Sequence, residues 1–252
     1  MSAHTFSYII GYRHKAERLN NLKRVIEWLS GFGGIEIIIV EQDKSPKLQE
    51  LTLKGIKHIF TKSDMPYNRS WAFNVGIKYA TSKIVAFGDS DLIMDPNEMI
   101  SALKMLDNYD CVSPYKSVLD LQPQESGLPM EHLKLISRPG RGETDNQKIN
   151  LCGGIVLYRK DSIQKIGGWC EEFIGWGGED NFQEFKTHNL LTYYECPYKC
   201  YHLWHERPAP DQQLYTRTME LLNKLVTMSK EDLLKHINIS TSKIGITNKY
   251  DK

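Results

Sequence analysis

Apolar and polar positions alternate along this chain in two rhythms, and the switching between them predicts its elements. Thr5 to Ile10 is a short apolar run of the kind that forms a buried strand. Lys15 to Ser30 spaces Leu19, Leu22, Val25, Ile26 and Leu29 three or four apart, which predicts an amphipathic helix stopped by Gly31, Gly33 and Gly34. Ile35 to Val40 is apolar and β-branched, a second strand, and Lys57 to Thr61 reads as a third. Arg69 to Tyr79 and Asn97 to Leu106 predict helices on either side of a strand from Lys83 to Phe87. Strands alternating with helices imply crossover connections and an α/β fold, with a mostly parallel central sheet flanked by helices.

The rhythm is lost between Lys116 and Asn150, where Pro123, Gly127, Pro129, Pro139, Gly140 and Gly142 cluster. A loop this long inside a domain is usually functional or mobile. Asn150 to Leu157 then predicts a strand and Asp161 to Ile166 a short helix. Gly175 to Gly178 marks a turn, and Asp180 to His188 a helix. Strands are expected at Leu191 to Glu195 and Lys199 to Leu203, a helix at Leu214 to Met228, and a polar tail from Ile239 to Lys252.

Composition narrows the function classes. A chain of 252 residues, 40% hydrophobic and 25% charged, is ordinary globular material, and one domain with elaborations is expected over 1–252. A formal net charge of +1 argues against a nucleic-acid partner, which usually calls for a basic excess. No run of 18 apolar residues predicts a transmembrane span, and the polar N-terminus does not read as a signal peptide. Five scattered cysteines suit a reducing, cytoplasmic setting. Cys196 and Cys200 could be half a zinc site, but no second pair accompanies them and strand packing is the simpler reading.

Four segments could carry chemistry. Gly88-Asp89-Ser90-Asp91 follows a predicted strand, where ligands of open α/β sheets bind. Asp89 and Asp91, two apart, could face one hard cation such as Mn2+ or Mg2+, although Asp and Ser are also ordinary turn formers. Trp176-Gly177-Gly178-Glu179-Asp180 sets an aromatic platform beside two carboxylates at a helix start. That is a way to hold a sugar and deprotonate its hydroxyl, or simply a complement to the helix dipole. His202 and His205 lie three apart in a strand-like stretch, so convergence on a metal needs a bend between them. In Tyr67-Asn68-Arg69-Ser70, Asn68 can cap the following helix, whereas Arg69 in its first turn opposes the dipole and hints at an anionic partner. Asn68-Arg69-Ser70 and Asn238-Ile239-Ser240 match the glycosylation pattern by chance where no signal peptide is read.

The order of these segments is more specific than any of them. The chain resembles glycosyltransferases of the GT-A fold, in particular the β-1,4-galactosyltransferase catalytic domain and related bacterial enzymes. Ile9-Ile10-Gly11-Tyr12-Arg13 looks like the family's Ile-Pro-Phe-Arg segment, and Tyr67-Asn68-Arg69-Ser70 like its Phe-Asn-Arg-Ala. Gly88-Asp89-Ser90-Asp91 is similar to its Asp-x-Asp, and Gly153-Gly154 stands where the family has a Gly-Gly pair. Trp176 to Asp180 repeats its signature, and His202-x-x-His205 resembles its late metal ligands. The likeness runs from about residue 9 to 207. Gly11 replaces the family proline, and Asn181-Phe182 ends its acidic run early.

The resemblance implies a UDP-sugar donor, a hydroxyl acceptor such as a saccharide, and a Mn2+ or Mg2+ cofactor. It implies a nucleotide-sugar part over 1–115, an acceptor and catalytic part with a lid over 116–213, and a C-terminal helix and tail over 214–252. Donor contacts would come from Tyr12, Arg13, Asn68, Arg69, Asp89, Ser90, Gly154, Trp176 and Gly177. Asp91, His205 and His202 would hold the metal, and Asp180 would be the general base with Glu179 beside it, giving inversion at the anomeric carbon. Glu206 to Gln213 would close over the donor, with Pro208 and Pro210 limiting its conformations. The resemblance suggests a cytoplasmic enzyme, with peripheral membrane contact left open. Competing readings are a retaining transferase, whose similar block carries Asn where Asp180 stands, a metal hydrolase, a non-catalytic sugar-binding module, and a transferase acting on a DNA base.

Overall fold

A computed structural model describes residues 5–48, 55–144, 148–207, 209–241 and 244–250. The first half follows the predicted alternation. Strand β1 (Phe6–Tyr12) leads to helix α1 (Ala16–Ser30), then β2 (Ile35–Asp43), β3 (Ile56–Lys62), α2 (Arg69–Tyr79) and β4 (Ile84–Gly88). β1 pairs in parallel with both β2 and β4, and β2 with β3. β1, β2 and β4 are covered on both faces, which is why they read as continuous apolar runs, whereas β3 is the half-exposed edge. Leu22, Val25, Ile26 and Leu29 of α1 are buried on one side of the sheet. Trp71, Phe73, Val75 and Ile77 of α2 pack on the other, with Trp169.

Next come β5 (Leu92–Met94), α3 (Pro96–Met105), β6 (Cys111–Ser113), β7 (Ser117–Asp120), α4 (Met130–Leu133), β8 (Val156–Arg159) and α5 (Lys160–Lys165). They are followed by α6 (Glu179–Leu190), β9 (Tyr193–Glu195), β10 (Lys199–His202), α7 (Gln212–Val226) and α8 (Lys230–Thr241). The central sheet has seven strands in the order β3-β2-β1-β4-β8-β6-β9, with β8 antiparallel to both its neighbours. A second sheet, β5-β10-β7, shares a core with it through Tyr8, Ile10, Met94, Val118 and Cys200. Among the described residues no helix is long and apolar enough to cross a membrane.

Several expectations change. The stretch from Lys116 to Asn150 is not all loop: β7 pairs with β10, and α4 buries Leu133. The strand expected from Asn150 begins only at Val156, because 151–154 is a turn containing the Gly153-Gly154 pair. The expected polar tail is helix α8 running to Thr241, followed by turns that dock on α2. Trp71 Nε1 donates to the Ile246 carbonyl at 2.8 Å, and Tyr250 stands edge-on to the Trp71 ring. Buried Glu171 accepts from the Gly245 amide at 2.6 Å and from Lys249 Nζ at 2.7 Å. Residues 251–252 of that tail, and Pro208 of the expected lid, lie outside the described residues. Cys196 and Cys200 are buried packing groups, with Cys200 Sγ 3.3 Å from the Ile93 carbonyl.

Candidate active site

The carboxyl ends of β1 and β4 and the start of α6 converge. Asn68 caps α2 by accepting from the Trp71 amide at 2.8 Å, and its own amide donates to the Glu171 carbonyl at 2.8 Å. That cap places Arg69 at the first helical position, with its side chain only 9% exposed between Phe73 and Trp169. Arg69 Nε donates to Asp89 Oδ1 at 2.7 Å, one Nη donates to Asp180 Oδ1 at short range, and the other reaches the Gly154 carbonyl at 3.2 Å. The anionic partner suggested by a cation in a helix's first turn is therefore this pair of carboxylates.

The turn before α6 sets Asp180. Gly175, Gly177 and Gly178 all have positive φ, a region that a side chain rarely adopts. The Gly177 amide donates to Glu179 Oε2 at 3.1 Å, folding that carboxylate back on the turn and leaving Asp180 forward. Burial raises the Asp180 carboxyl strongly; Arg69 opposes this, while Glu179 and Asp89 add to it, and the group sits at about 8. Burial likewise raises Glu179, and it raises Asp89 against the pull of Arg69.

Gly153-Gly154 forms the floor. Gly154 has φ +85°, and a Cβ there would overlap the Tyr115 hydroxyl. That hydroxyl donates to the Gly153 carbonyl at 2.6 Å and accepts from the Ile155 amide at 2.9 Å. Sequence reasoning missed Tyr115, which precedes the featureless stretch and carries no local signal. It also missed Tyr215 of α7, stacked 5.5 Å under Trp176, whose indole is 65% exposed beside the carboxylates.

A second cluster lies alongside. β10 pairs antiparallel with β5, setting His202 opposite Leu92, and the Leu203 amide donates to the Asp91 carbonyl at 2.8 Å. The strand ends at His202, which supplies the bend the two histidines need. Their rings lie 5.1 Å apart. His205 Nε2 is 3.2 Å and His202 Nε2 3.7 Å from the Asp91 carboxylate. His205 Nδ1 bonds the Glu206 carbonyl at 2.7 Å, an arrangement that orients a ligating imidazole and leaves Nε2 forward. Burial would raise Asp91, but the His205 hydrogen bond and the His202 charge hold it low. That hydrogen bond raises His205, and burial lowers His202. Ligand atoms of Asp91, His202 and His205 lie within 4.8 Å of one another, and one carboxylate with two imidazoles suits a divalent ion such as Mn2+.

Beside this cluster opens a cleft of about 660 Å3, lined by Lys15, Asp120, Trp204, His205 and Arg207. Arg13 donates to the Gln42 and Met65 carbonyls, while its Nη2 is buried with no hydrogen-bond partner among the described residues. Two expected donor contacts sit differently. Tyr12 is 1% exposed with its hydroxyl toward His14, so its ring is a packing group. The Asn68 side chain is engaged at both ends, as above, so it positions Arg69 instead. Ser90 is buried between the two aspartates.

Residues 14–167 match the model of the glycosyl transferase family 2, more than half of the chain. The chain belongs to glycosyl transferase family 2. The match stops before the Trp176 turn and the histidines, which the geometry above brings to the same site. Chondroitin synthase of Escherichia coli is 24% identical over 196 residues, covering 63% of this chain and 28% of that protein. The Drosophila β1,4-galactosyltransferase 7 catalytic domain with xylobiose superposes with a TM-score of 0.55 at 17% identity, covering 91% of this chain and 84% of that one. A variant of it binds manganese, UDP-Gal and xylobiose, with a TM-score of 0.50 at 15% identity over 86% of this chain and 79% of that one. Staphylococcus aureus TarS (residues 1–349) gives 0.57 at 16% identity, covering 94% of this chain and 70% of that one. The fold is the GT-A fold, and this family 2 chain is a glycosyltransferase domain.

Proposed function

We propose that this domain is a metal-dependent, inverting glycosyltransferase that moves galactose or an N-acetylhexosamine from a UDP-sugar to an acceptor hydroxyl. The observation that carries this reading is the carboxylate pair Asp89 and Asp180 joined by buried Arg69, next to the Asp91, His202 and His205 cluster. The donor lies across the ends of β1 and β4, its diphosphate toward the cleft and its sugar toward Gly154 and Asp89. Buried Arg13 Nη2 and Lys15 supply positive charge for the diphosphate.

Asp91, His202 and His205 would hold Mn2+ or Mg2+, which supplies neutralisation of the departing diphosphate. Trp176, backed by Tyr215, presents an aromatic face to the donor and acceptor sugars. Asp180 takes the proton of the acceptor hydroxyl as its oxygen bonds to the anomeric carbon and the bond to the diphosphate oxygen breaks. The pair of electrons leaves with the nucleoside diphosphate. Attack from the face opposite the leaving group inverts the anomeric centre. Arg69 holds the Asp180 carboxylate in place and offsets its burial.

Anomeric proton NMR of the product tests the reading. An α-configured donor should yield a β-linked product, and an α-linked product would favour the retaining reading instead.

A further inference from the structure

We propose that Cys170, Glu172 and His236 form a second metal site, one that takes Zn2+ and staples α8 to the segment leading into α6. Their ligand atoms lie within 4.8 Å of one another. Cys170 Sγ is 3.9 Å and His236 Nε2 is 3.4 Å from Glu172 Oε1. Zinc bonds of about 2.0–2.3 Å arranged tetrahedrally give ligand-to-ligand edges of about 3.3–3.7 Å, so small side-chain rotations close the site.

The donor set points to zinc. A thiolate with an imidazole and a carboxylate selects a borderline-soft ion, whereas the Asp91 cluster has no sulfur. Cys170 is half-buried, whereas Cys111, Cys152, Cys196 and Cys200 are all buried. Cys170, Glu172 and His236 all line a pocket of about 370 Å3 between α6, α7 and α8. Three protein ligands leave the fourth position to a water at that pocket. On binding, the Cys170 thiol proton passes to solvent and the sulfur becomes a ligand.

A cation already stands nearby but does not compete. Lys186 Nζ is buried and donates to the Ile166 and Gly168 carbonyls. The consequence is local stability. Leu233 and Ile237 of α8 pack with Phe173 and Phe182, a small cluster that coordination would reinforce from its edge. Phe182 lies in the first turn of α6, two residues after Asp180, so the staple braces the helix that carries the carboxylates.

Titration of the full chain with Co2+, the spectroscopic stand-in for zinc, tests the site without donor or acceptor. The expected result is a near-ultraviolet thiolate-to-cobalt absorption that Zn2+ abolishes and Cys170→Ser lacks. Glu172→Gln and His236→Ala should weaken cobalt binding at this site at least about tenfold, the least that losing even an outer-shell partner tends to cost. Zn2+ should raise the melting temperature of the wild type more than that of Cys170→Ser. If Cys170→Ser fails to fold, Glu172→Gln, an exposed side chain, carries the comparison. No thiolate band, a band that survives in Cys170→Ser, or one unaffected by both other variants would overturn the proposal. Because no nucleotide sugar is present, none of these outcomes bears on glycosyl transfer.

Discussion

Arg69 and Asp180, 111 positions apart in the chain, form an ion pair at the junction of α2 and α6. The pair links two opposed requirements. A base must be ionised to accept a proton, yet burial and two neighbouring carboxylates favour the neutral acid. Arg69, always charged, pulls the other way.

A pH profile follows with a definite sign. An ordinary aspartate is fully ionised above about pH 5. With Asp180 at about 8, kcat/KM should climb through neutral pH toward a plateau above that value. Arg69→Met removes the lowering partner, so the rising limb should move to higher pH. It should also cost on the order of 3 kcal/mol of stability, the lower end for breaking a buried pair, because Asp89 remains partly exposed. Rate–pH profiles of the two proteins check the shift; coincident profiles would remove Arg69 from the account.

His205→Ala should lower Mn2+ affinity by at least about tenfold and reduce turnover in parallel, with turnover partly restored by excess metal. The Nδ1 contact to Glu206 makes this ring the better oriented of the two histidines. Isothermal titration with Mn2+ is the measurement, and unchanged affinity would remove His205 from the ligand set.

Gly154→Ala should damage the site floor. It places a side chain at φ +85° and drives it into the Tyr115 hydroxyl. A loss of about 1–3 kcal/mol is expected from the backbone strain alone. Tyr115→Phe, which leaves the Ile155 amide and Gly153 carbonyl without this partner, should cost about 1–3 kcal/mol. Thermal melts of both variants read these losses.

Acid stability should depend on Glu36. Although burial pushes this carboxyl up, bonds from Lys57, Ser7 and the Thr81 amide hold it at about 2, well under its ordinary 4.5. Its contribution is therefore complete above about pH 4.5 and lost as pH falls toward 2, on the order of 3 kcal/mol in all. Glu36→Gln should flatten stability over that window, as read by denaturant melts from pH 2 to 6.

Much of this was legible in the sequence because the signals were local. Asn68 announces α2, and the apolar runs of β1, β2 and β4 announce buried parallel strands. Helix α8 was hidden because its polar residues outweigh the few apolar ones, Leu233 and Ile237, that reach the core. The docking of residues 244–250 rests on Trp71 and Glu171, contacts that span the chain and leave no periodic trace. At the site, residue types pointed to metal and base, but the pairing that sets their geometry did not show. The bend between His202 and His205 depends on β5, more than a hundred residues earlier. Tyr115 and Tyr215 act through a hydroxyl and a ring face that only the folded chain aligns.

The most direct measurement is release of nucleoside diphosphate from a panel of nucleotide sugars, with Mn2+ or with chelator, by the wild type and by Asp180→Asn. The account predicts metal-dependent turnover of a UDP-sugar when acceptor is supplied. It also predicts that Asp180→Asn loses about 100-fold or more of that turnover while still binding Mn2+ and nucleotide. Turnover indifferent to chelator, or an Asp180→Asn variant as active as the wild type, would contradict it.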